Sequence, residues 1–304
     1  AKIKYKSDGL IINSKNISNK VANYDIVRKM RASILILGPL LSRFKKARIS
    51  LPGGCAIGTR PIDIHLEGLA KLGASFNIEN GFVNAEVKSA LIGNTIRLPF
   101  ASVGATENII MASILARGET IIYNAAREPE VVDLSNCLRS MGAQIFGDGT
   151  ERIRIIGIKK LVKAKHKILS DRIVAGTYII AAVMLKHEFT IKQINPNHLT
   201  SLIELLKKMG ANLIINKNSI KVMPSNKLKS SKIETAPYPG FPTDLQAQLM
   251  ALMCLVDGNS QIKENIFENR FMHVPELSKM KASIKIDGNK AIVDGVKQLQ
   301  GASV

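Results

Sequence analysis

Gly73-Ala74-Ser75-Phe76-Asn77-Ile78-Glu79-Asn80-Gly81-Phe82-Val83 sets two alternating segments on either side of Asn80-Gly81. Alternation around Asn-Gly is a β-hairpin signal. The pattern returns as Gly142-Ala143-Gln144-Ile145-Phe146-Gly147-Asp148-Gly149 and as Gly210-Ala211-Asn212-Leu213-Ile214-Ile215-Asn216-Lys217-Asn218. A further copy is Lys281-Ala282-Ser283-Ile284-Lys285-Ile286-Asp287-Gly288-Asn289, and the chain opens inside another, Ala1-Lys2-Ile3-Lys4-Tyr5-Lys6-Ser7-Asp8-Gly9-Leu10-Ile11. The alanines stand at 1, 74, 143, 211 and 282. A period of about 70 residues is long enough for one compact supersecondary unit.

Working outward, an amphipathic helix precedes the hairpins. Val131, Leu134, Leu138 and Met141 fall at helical spacing, as do Leu199, Leu202, Leu206 and Met209. A glycine after such a helix suits a left-handed C-cap. Further upstream comes another helix and then a short apolar strand: Ser102 to Arg117 then Thr120-Ile121-Ile122-Tyr123, Asp171 to Lys186 then Phe189-Thr190-Ile191, and Thr243 to Leu255 then Gln261-Ile262-Lys263. The unit reads helix, strand, helix, strand, strand, so the fold class is α/β with a repeat. Whole copies begin near Asp25, Ser102, Asp171 and Asp244. Units of this kind bury their apolar faces against neighbours, and four units plus a remnant read as a piece of a longer array.

The 304 residues carry 43 Lys+Arg against 24 Asp+Glu, a formal net charge of +19, with 46% hydrophobic residues and no Trp. That hydrophobic fraction excludes a disordered chain. No apolar run reaches the ~20 residues of a membrane-spanning helix; the greasiest stretch, Ile34 to Leu41, is interrupted by Gly38-Pro39. The opening residues alternate as a strand does, unlike a secretory signal. Three scattered cysteines make no disulfide framework, so a reducing cytoplasm is expected. Dispersed lysines and few aromatics disfavour a base-stacking nucleic-acid platform.

Chemistry concentrates in one segment, Ser50-Leu51-Pro52-Gly53-Gly54-Cys55-Ala56-Ile57-Gly58-Thr59-Arg60-Pro61-Ile62-Asp63. A strand runs into a glycine-rich loop, a cysteine, and then Arg-Pro at a helix start. A helix N-terminus beside Arg60 suits an anion, and a loop cysteine near arginine can act as nucleophile or acid. The bland alternative is an inert filler, the role expected of Cys137 and Cys254 on their helices. In Pro237-Tyr238-Pro239-Gly240-Phe241-Pro242-Thr243-Asp244, Asp244 reads either as a helix cap or as a general base facing a cleft. Phe267-Glu268-Asn269-Arg270-Phe271-Met272-His273 puts an arginine near another helix start. Ser102-Val103-Gly104 reads as an N-cap with room for phosphate oxygens. The five histidines are scattered and support no metal site.

The Pro52–Asp63 loop closely resembles the Cys loop of the UDP-N-acetylglucosamine 1-carboxyvinyltransferase family, among the enolpyruvyl transferases. Similar matches are Lys29-Met30-Arg31-Ala32-Ser33, Asn124-Ala125-Ala126-Arg127-Glu128-Pro129-Glu130, Phe241-Pro242-Thr243-Asp244-Leu245-Gln246-Ala247-Gln248 and Glu268-Asn269-Arg270-Phe271-Met272-His273-Val274-Pro275-Glu276-Leu277. They occur in order over the whole chain. The resemblance implies two inside-out α/β barrel domains, helices inside and sheets outside, with the active site in the cleft between them. Residues 1–169 would form the first domain, its N-terminal unit incomplete, and residues 170–304 the second, lacking a C-terminal unit.

The activity implied is transfer of the enolpyruvyl group of phosphoenolpyruvate to the 3-hydroxyl of UDP-N-acetylglucosamine by addition and elimination, with no cofactor. Cys55 would be the acid or covalent residue, alkylated by fosfomycin, and Asp244 the base. Arg31, Arg60, Pro61, Ile62, Asp63, Ile64, Ser102, Val103, Gly104, Asp244 and Ile266 would contact substrate, and Arg270 would support the cleft. The family's early Lys-Asn pair and its late Asp and Arg fall in stretches outside this sequence, and Phe100 stands where the family usually carries Lys. The runner-up, the shikimate-pathway transferase, lacks this Cys loop. A nucleic-acid-binding or non-catalytic fragment of the same fold is the remaining alternative, and the former would show salt-sensitive RNA binding.

Overall fold

The computed structural model describes residues 2–7, 9–13, 17, 20–27, 30–51, 62–225 and 227–303, with only the backbone of Leu10, Ile12, Ile26 and Arg31. The loop reading at Cys55, Arg60 and Pro61 lies outside the described residues.

The chain starts with a hairpin of β1 (Lys2–Lys6) and β2 (Gly9–Asn13), paired from Lys2 opposite Asn13 to Lys6 opposite Gly9. The first whole unit contains β3 (Val21–Ala22), α1 (Tyr24–Val27), a 3-10 turn (Arg31–Ile36), α2 (Leu37–Phe44), β4 (Lys46–Ser50), α3 (Asp63–Lys71), β5 (Ser75–Glu79) and β6 (Phe82–Glu86). The second contains β7 (Thr95–Arg97), α4 (Val103–Ser113), β8 (Glu119–Tyr123), α5 (Pro129–Ser140), β9 (Gln144–Phe146) and β10 (Arg152–Ile156). The third contains α6 (Arg172–Met184), β11 (Phe189–Lys192), a 3-10 turn (Pro196–Leu199), α7 (Thr200–Lys208), β12 (Asn212–Asn216) and β13 (Ser219–Met223). The fourth contains β14 (Lys232–Glu234), a 3-10 turn (Thr243–Leu245), α8 (Gln246–Met253), β15 (Asn259–Lys263), α9 (Val274–Lys279), β16 (Ser283–Asp287) and β17 (Lys290–Asp294).

Three units build the same four-stranded sheet: β3-β4-β6-β5, β7-β8-β10-β9 and β14-β15-β17-β16. The hairpin's second strand sits between its first strand and the strand that follows the first helix. The outermost strands β3, β7 and β14 pair parallel with β4, β8 and β15, so each first helix is a βαβ crossover. The sequence reading lacked these edge strands. Each has only two or three residues, too short for alternation to register. Among the described residues the third sheet has three strands, β11-β13-β12.

Glycine closes the second helix of three units with positive φ, at Gly73 (96°), Gly142 (95°) and Gly210 (98°). In the fourth unit Lys281 takes the same conformation at φ 67°. The first helices run shorter than their apolar patterns. Helix α4 ends at Ser113, not Arg117, because Ala116 N–H turns back to the Ser113 carbonyl and Gly118 redirects the chain at φ 86°. Helix α6 stops at Met184, and Lys186 adopts φ 52°.

Helices lie inside and sheets outside. Helix α4 buries Ala105, Thr106, Asn108, Ile109, Ile110, Ala112 and Ser113, which together surround it. The strands alternate, as in β10 and β13, burying one face only. Two separate hydrophobic cores result, one built from residues between Ala22 and Ile155, the other from residues between Ala175 and Val293. Residues 159–170 run between them without helix or strand, largely exposed. Across the junction Arg172 Nε donates to Glu130 Oε1 at 3.0 Å, its guanidinium covers the Tyr238 ring at 5.6 Å, and Tyr238 N–H donates to Glu128 Oε1 at 3.4 Å.

Candidate active site

In the first half three chain segments meet at the start of α4. Ser102 is its N-cap, accepting from Ala105 N–H at 3.4 Å; the plain capping reading holds here. Gly104 follows in the first turn, packed closely over α3: a Cβ there would stand 3.1 Å from His65 Cε1, tighter than most Cβ contacts. His65 lies on α3, two residues beyond Asp63, which is in that helix's first turn. Ile64 is only 7% exposed, its side chain in the core, so any ligand contact at Ile64 must use backbone. Arg31 opens the 3-10 turn that leads into α2. Phe100 is 53% exposed just ahead of the Ser102 cap.

Asn108 fastens these segments together. Fully buried on α4, it accepts from Gly38 N–H at 2.7 Å, donates to the Ile34 carbonyl at 3.0 Å, and reaches His65 Nδ1 at 3.1 Å. Gly38 has no Cβ for a reason: one would collide with the Asn108 carbonyl and side chain.

In the second half Asp244 sits in the 3-10 turn before α8. Its Oδ1 accepts from Arg270 Nη2 at 2.7 Å, whereas true capping is done elsewhere by Asp171, which accepts from Ile173 and Val174 N–H at 2.8 and 2.9 Å. The Arg270 side chain is 17% exposed and that of Asp244 55%. Arg270 also lies over the Phe267 ring at 5.5 Å, and it helps burial hold the neighbouring His273 below its usual range.

The sequence reading missed Glu264, which organises this half. Only 3% exposed, it accepts from Thr235 Oγ1 at 2.8 Å, Thr243 Oγ1 at 2.9 Å, Ile266 N–H at 2.8 Å and Phe267 N–H at 3.2 Å. One carboxylate therefore fixes both the turn carrying Asp244 and the loop carrying Ile266. Only its place after an alternating strand hinted at this.

A chain of bonds joins the halves. Thr106 Oγ1 on α4 accepts from Ala126 N–H at 3.0 Å, Glu128 two residues on holds Tyr238, and Ala236 N–H donates to the Phe241 carbonyl at 3.0 Å, three residues before Asp244. The starts of α4, α5 and α6 and the Asp244 turn are thus tied to one junction.

The two described cysteines are poor nucleophiles. Cys254 is fully buried, and burial pushes its thiol up to about 11; burial and Asp133 also raise Cys137. Among the described residues no group of three His, Cys, Asp or Glu side chains could hold a metal ion, and no helix is long and apolar enough to cross a membrane.

The sequence pattern of the EPSP synthase (3-phosphoshikimate 1-carboxyvinyltransferase) family matches residues 1–304. A UDP-N-acetylglucosamine 1-carboxyvinyltransferase of Geotalea uraniireducens is 50% identical over 304 residues, spanning 100% of this chain and 73% of that protein. One from Rickettsia canadensis is 53% identical over 295 residues, 97% of this chain and 70% of that protein. In fold, the chain is similar to the crystal structure of the enolpyruvyl transferase NikO from Streptomyces tendae, with TM-score 0.81 at 22% identity over 96% of this chain and 70% of that one. It is similar as well to EPSP synthase from Acinetobacter baumannii, with TM-score 0.65 at 23% identity over 88% and 64%. With repeated units, helices within sheets and whole-length identity of this order, the chain belongs to the UDP-N-acetylglucosamine 1-carboxyvinyltransferase family of enolpyruvyl transferases.

Proposed function

We propose that the protein transfers the enolpyruvyl group of phosphoenolpyruvate to the 3-hydroxyl of UDP-N-acetylglucosamine and releases phosphate, a step of peptidoglycan synthesis in the cytoplasm. The two halves act as domains dividing near Ser170, with the reaction in the cleft between them. The observation that carries this reading is the junction itself. Helix α4 in one half is bonded to Ala126, Glu128 two residues on holds Tyr238 of the other half, and Tyr238 lies six residues before Asp244, the partner of Arg270.

Asp244 takes the proton of the attacking sugar hydroxyl as its oxygen bonds to C2 of phosphoenolpyruvate. C3 gains a proton from an acid, for which Cys55 is the candidate. The resulting tetrahedral ketal then returns a proton from C3 as the C2–O bond to phosphate breaks, restoring the double bond. Arg270 keeps the Asp244 carboxylate aimed through their 2.7 Å bond. Arg60 contacts both phosphoenolpyruvate and the nucleotide sugar, Arg31 is a further substrate-site arginine, and Pro61, Ile62, Asp63, the Ile64 backbone, Ser102, Val103, Gly104, Asp244 and Ile266 hold the nucleotide sugar. Both substrates are polyanions, which fits arginines and helix starts.

The test is phosphate release by the full-length protein with both substrates. Asp244→Ala should lower turnover at least 100-fold while nucleotide-sugar binding stays measurable; unchanged turnover removes Asp244 from the mechanism. Cys55→Ser should abolish alkylation by fosfomycin, and label found instead on Cys137 or Cys254 defeats the assignment. Turnover of shikimate 3-phosphate in place of the nucleotide sugar would move the protein to the other branch of its family.

A further inference from the structure

Asn108 fixes a proton that no hydrogen atom has to be seen to locate. The Gly38 N–H can only donate, so the Asn108 atom 2.7 Å away is Oδ1; the Ile34 carbonyl can only accept, so the atom 3.0 Å from it is Nδ2. That same Nδ2 meets His65 Nδ1 at 3.1 Å and must donate to it. An imidazole accepting at Nδ1 carries its proton on Nε2. The Cε1–Nε2 edge of this ring lies beneath Gly104, at 3.1 and 3.4 Å from where a Cβ would stand, with Leu35 at 3.8 Å beside it. Both the imidazole and the amide are buried, His65 8% exposed and Asn108 fully enclosed.

We infer that His65, locked as its Nε2–H tautomer by Asn108, is a positioning residue for the nucleotide sugar: it sets the spacing between the α3 start and the Ser102-Val103-Gly104 turn. The inference rests on the substrate reading proposed above. His65 belongs to α3 and touches the first turn of α4, while its partner Asn108 grips the backbone between Ile34 and Gly38, just after Arg31. Three segments that carry proposed substrate contacts therefore share one buried knot. The knot fixes the α3 and α4 starts that would carry the nucleotide sugar and includes neither Asp244 nor Arg270, so its loss should weaken sugar binding more than phosphoenolpyruvate binding.

Two measurements test this. A long-range 15N–1H correlation spectrum of the protein should show His65 protonated at Nε2 alone; protonation at Nδ1 overturns the assignment. In steady-state kinetics, His65→Phe keeps the ring volume and removes the acceptor, and should raise KM for UDP-N-acetylglucosamine at least 10-fold while KM for phosphoenolpyruvate and kcat stay within threefold. His65→Asn restores an acceptor at the same reach and should return KM to within threefold of wild type. Asn108→Asp, which keeps the shape and cannot donate, should switch the ring to Nδ1–H and raise the same KM. Both KM values rising together, Phe and Asn variants behaving alike, or an unchanged KM in Asn108→Asp would each overturn the positioning role. A wild-type protein that fails to turn over the two substrates sinks the functional reading, while the spectrum still decides the tautomer.

Discussion

The two halves fasten their helix starts with opposite chemistry. In the first, a neutral amide, Asn108, bridges a backbone N–H, a carbonyl and an imidazole. In the second, a carboxylate, Glu264, collects two hydroxyls and two N–H groups. The neighbours dictate the choice. Asn108 faces both donors and acceptors and must do both jobs, whereas Glu264 faces donors only, which suits an acceptor with two oxygens. A buried charge costs free energy that only full satisfaction offsets, so the second half has more to lose from one substitution. The same repeat thus builds a tolerant half-site and a brittle one.

Removing the carboxylate should break the comparison most sharply. Glu264→Leu leaves four buried or half-buried donors without their acceptor, and an expected loss of about 3–5 kcal/mol follows; denaturant unfolding measures it. A loss under about 1 kcal/mol would show that the two knots do not differ as argued.

A carboxylate of the opposite kind lies in the first half. Burial, with Glu130 and Glu128 nearby, pushes Glu107 up to about 7 from an ordinary 4.5. A raised carboxyl binds its proton more tightly when folded, so its penalty is absent below pH 4.5, grows through the window to 7 and is full above it. Glu107→Gln should therefore stabilise the protein at pH 8 by on the order of 2 kcal/mol and change little at pH 4.5. Thermal unfolding at both pH values checks this, and equal effects at both remove the titration from the explanation.

The smallest effect concerns the seam. Arg172→Ala removes the pair with Glu130, whose side chain is 39% exposed, and the cover over Tyr238. A loss of about 1 kcal/mol is expected, with faster proteolytic cleavage between 159 and 170. An unchanged cleavage rate would mean that Glu128 and Tyr238 hold the halves together without it.

Much of this was legible in the residues. The Gly-Ala hairpins appear where the alternation put them, including Ser75–Glu79 with Phe82–Glu86 and Asn212–Asn216 with Ser219–Met223. Helix cores emerged because Val131 and Leu138, or Leu202 and Leu206, repeat at a spacing the backbone imposes. Edge strands such as Thr95–Arg97 escaped, since Ile96 is their one buried residue. Asp244 could be read two ways, and only the tertiary structure shows it bonded to Arg270, 26 residues away. Glu264 and Asn108 escaped as well: from sequence, an acid after a strand and an amide within a helix are ordinary surface residues.

By itself the sequence determined the repeat, its helices and hairpins, and the family, because these depend on spacing along the chain and on a dense run of motif residues. The tertiary structure decided which polar groups are buried and which partners they meet. Gly38 and Asn108, Asp244 and Arg270, or Glu128 and Tyr238 become neighbours only when helices cross and halves meet, and no periodicity encodes contacts between residues so far apart.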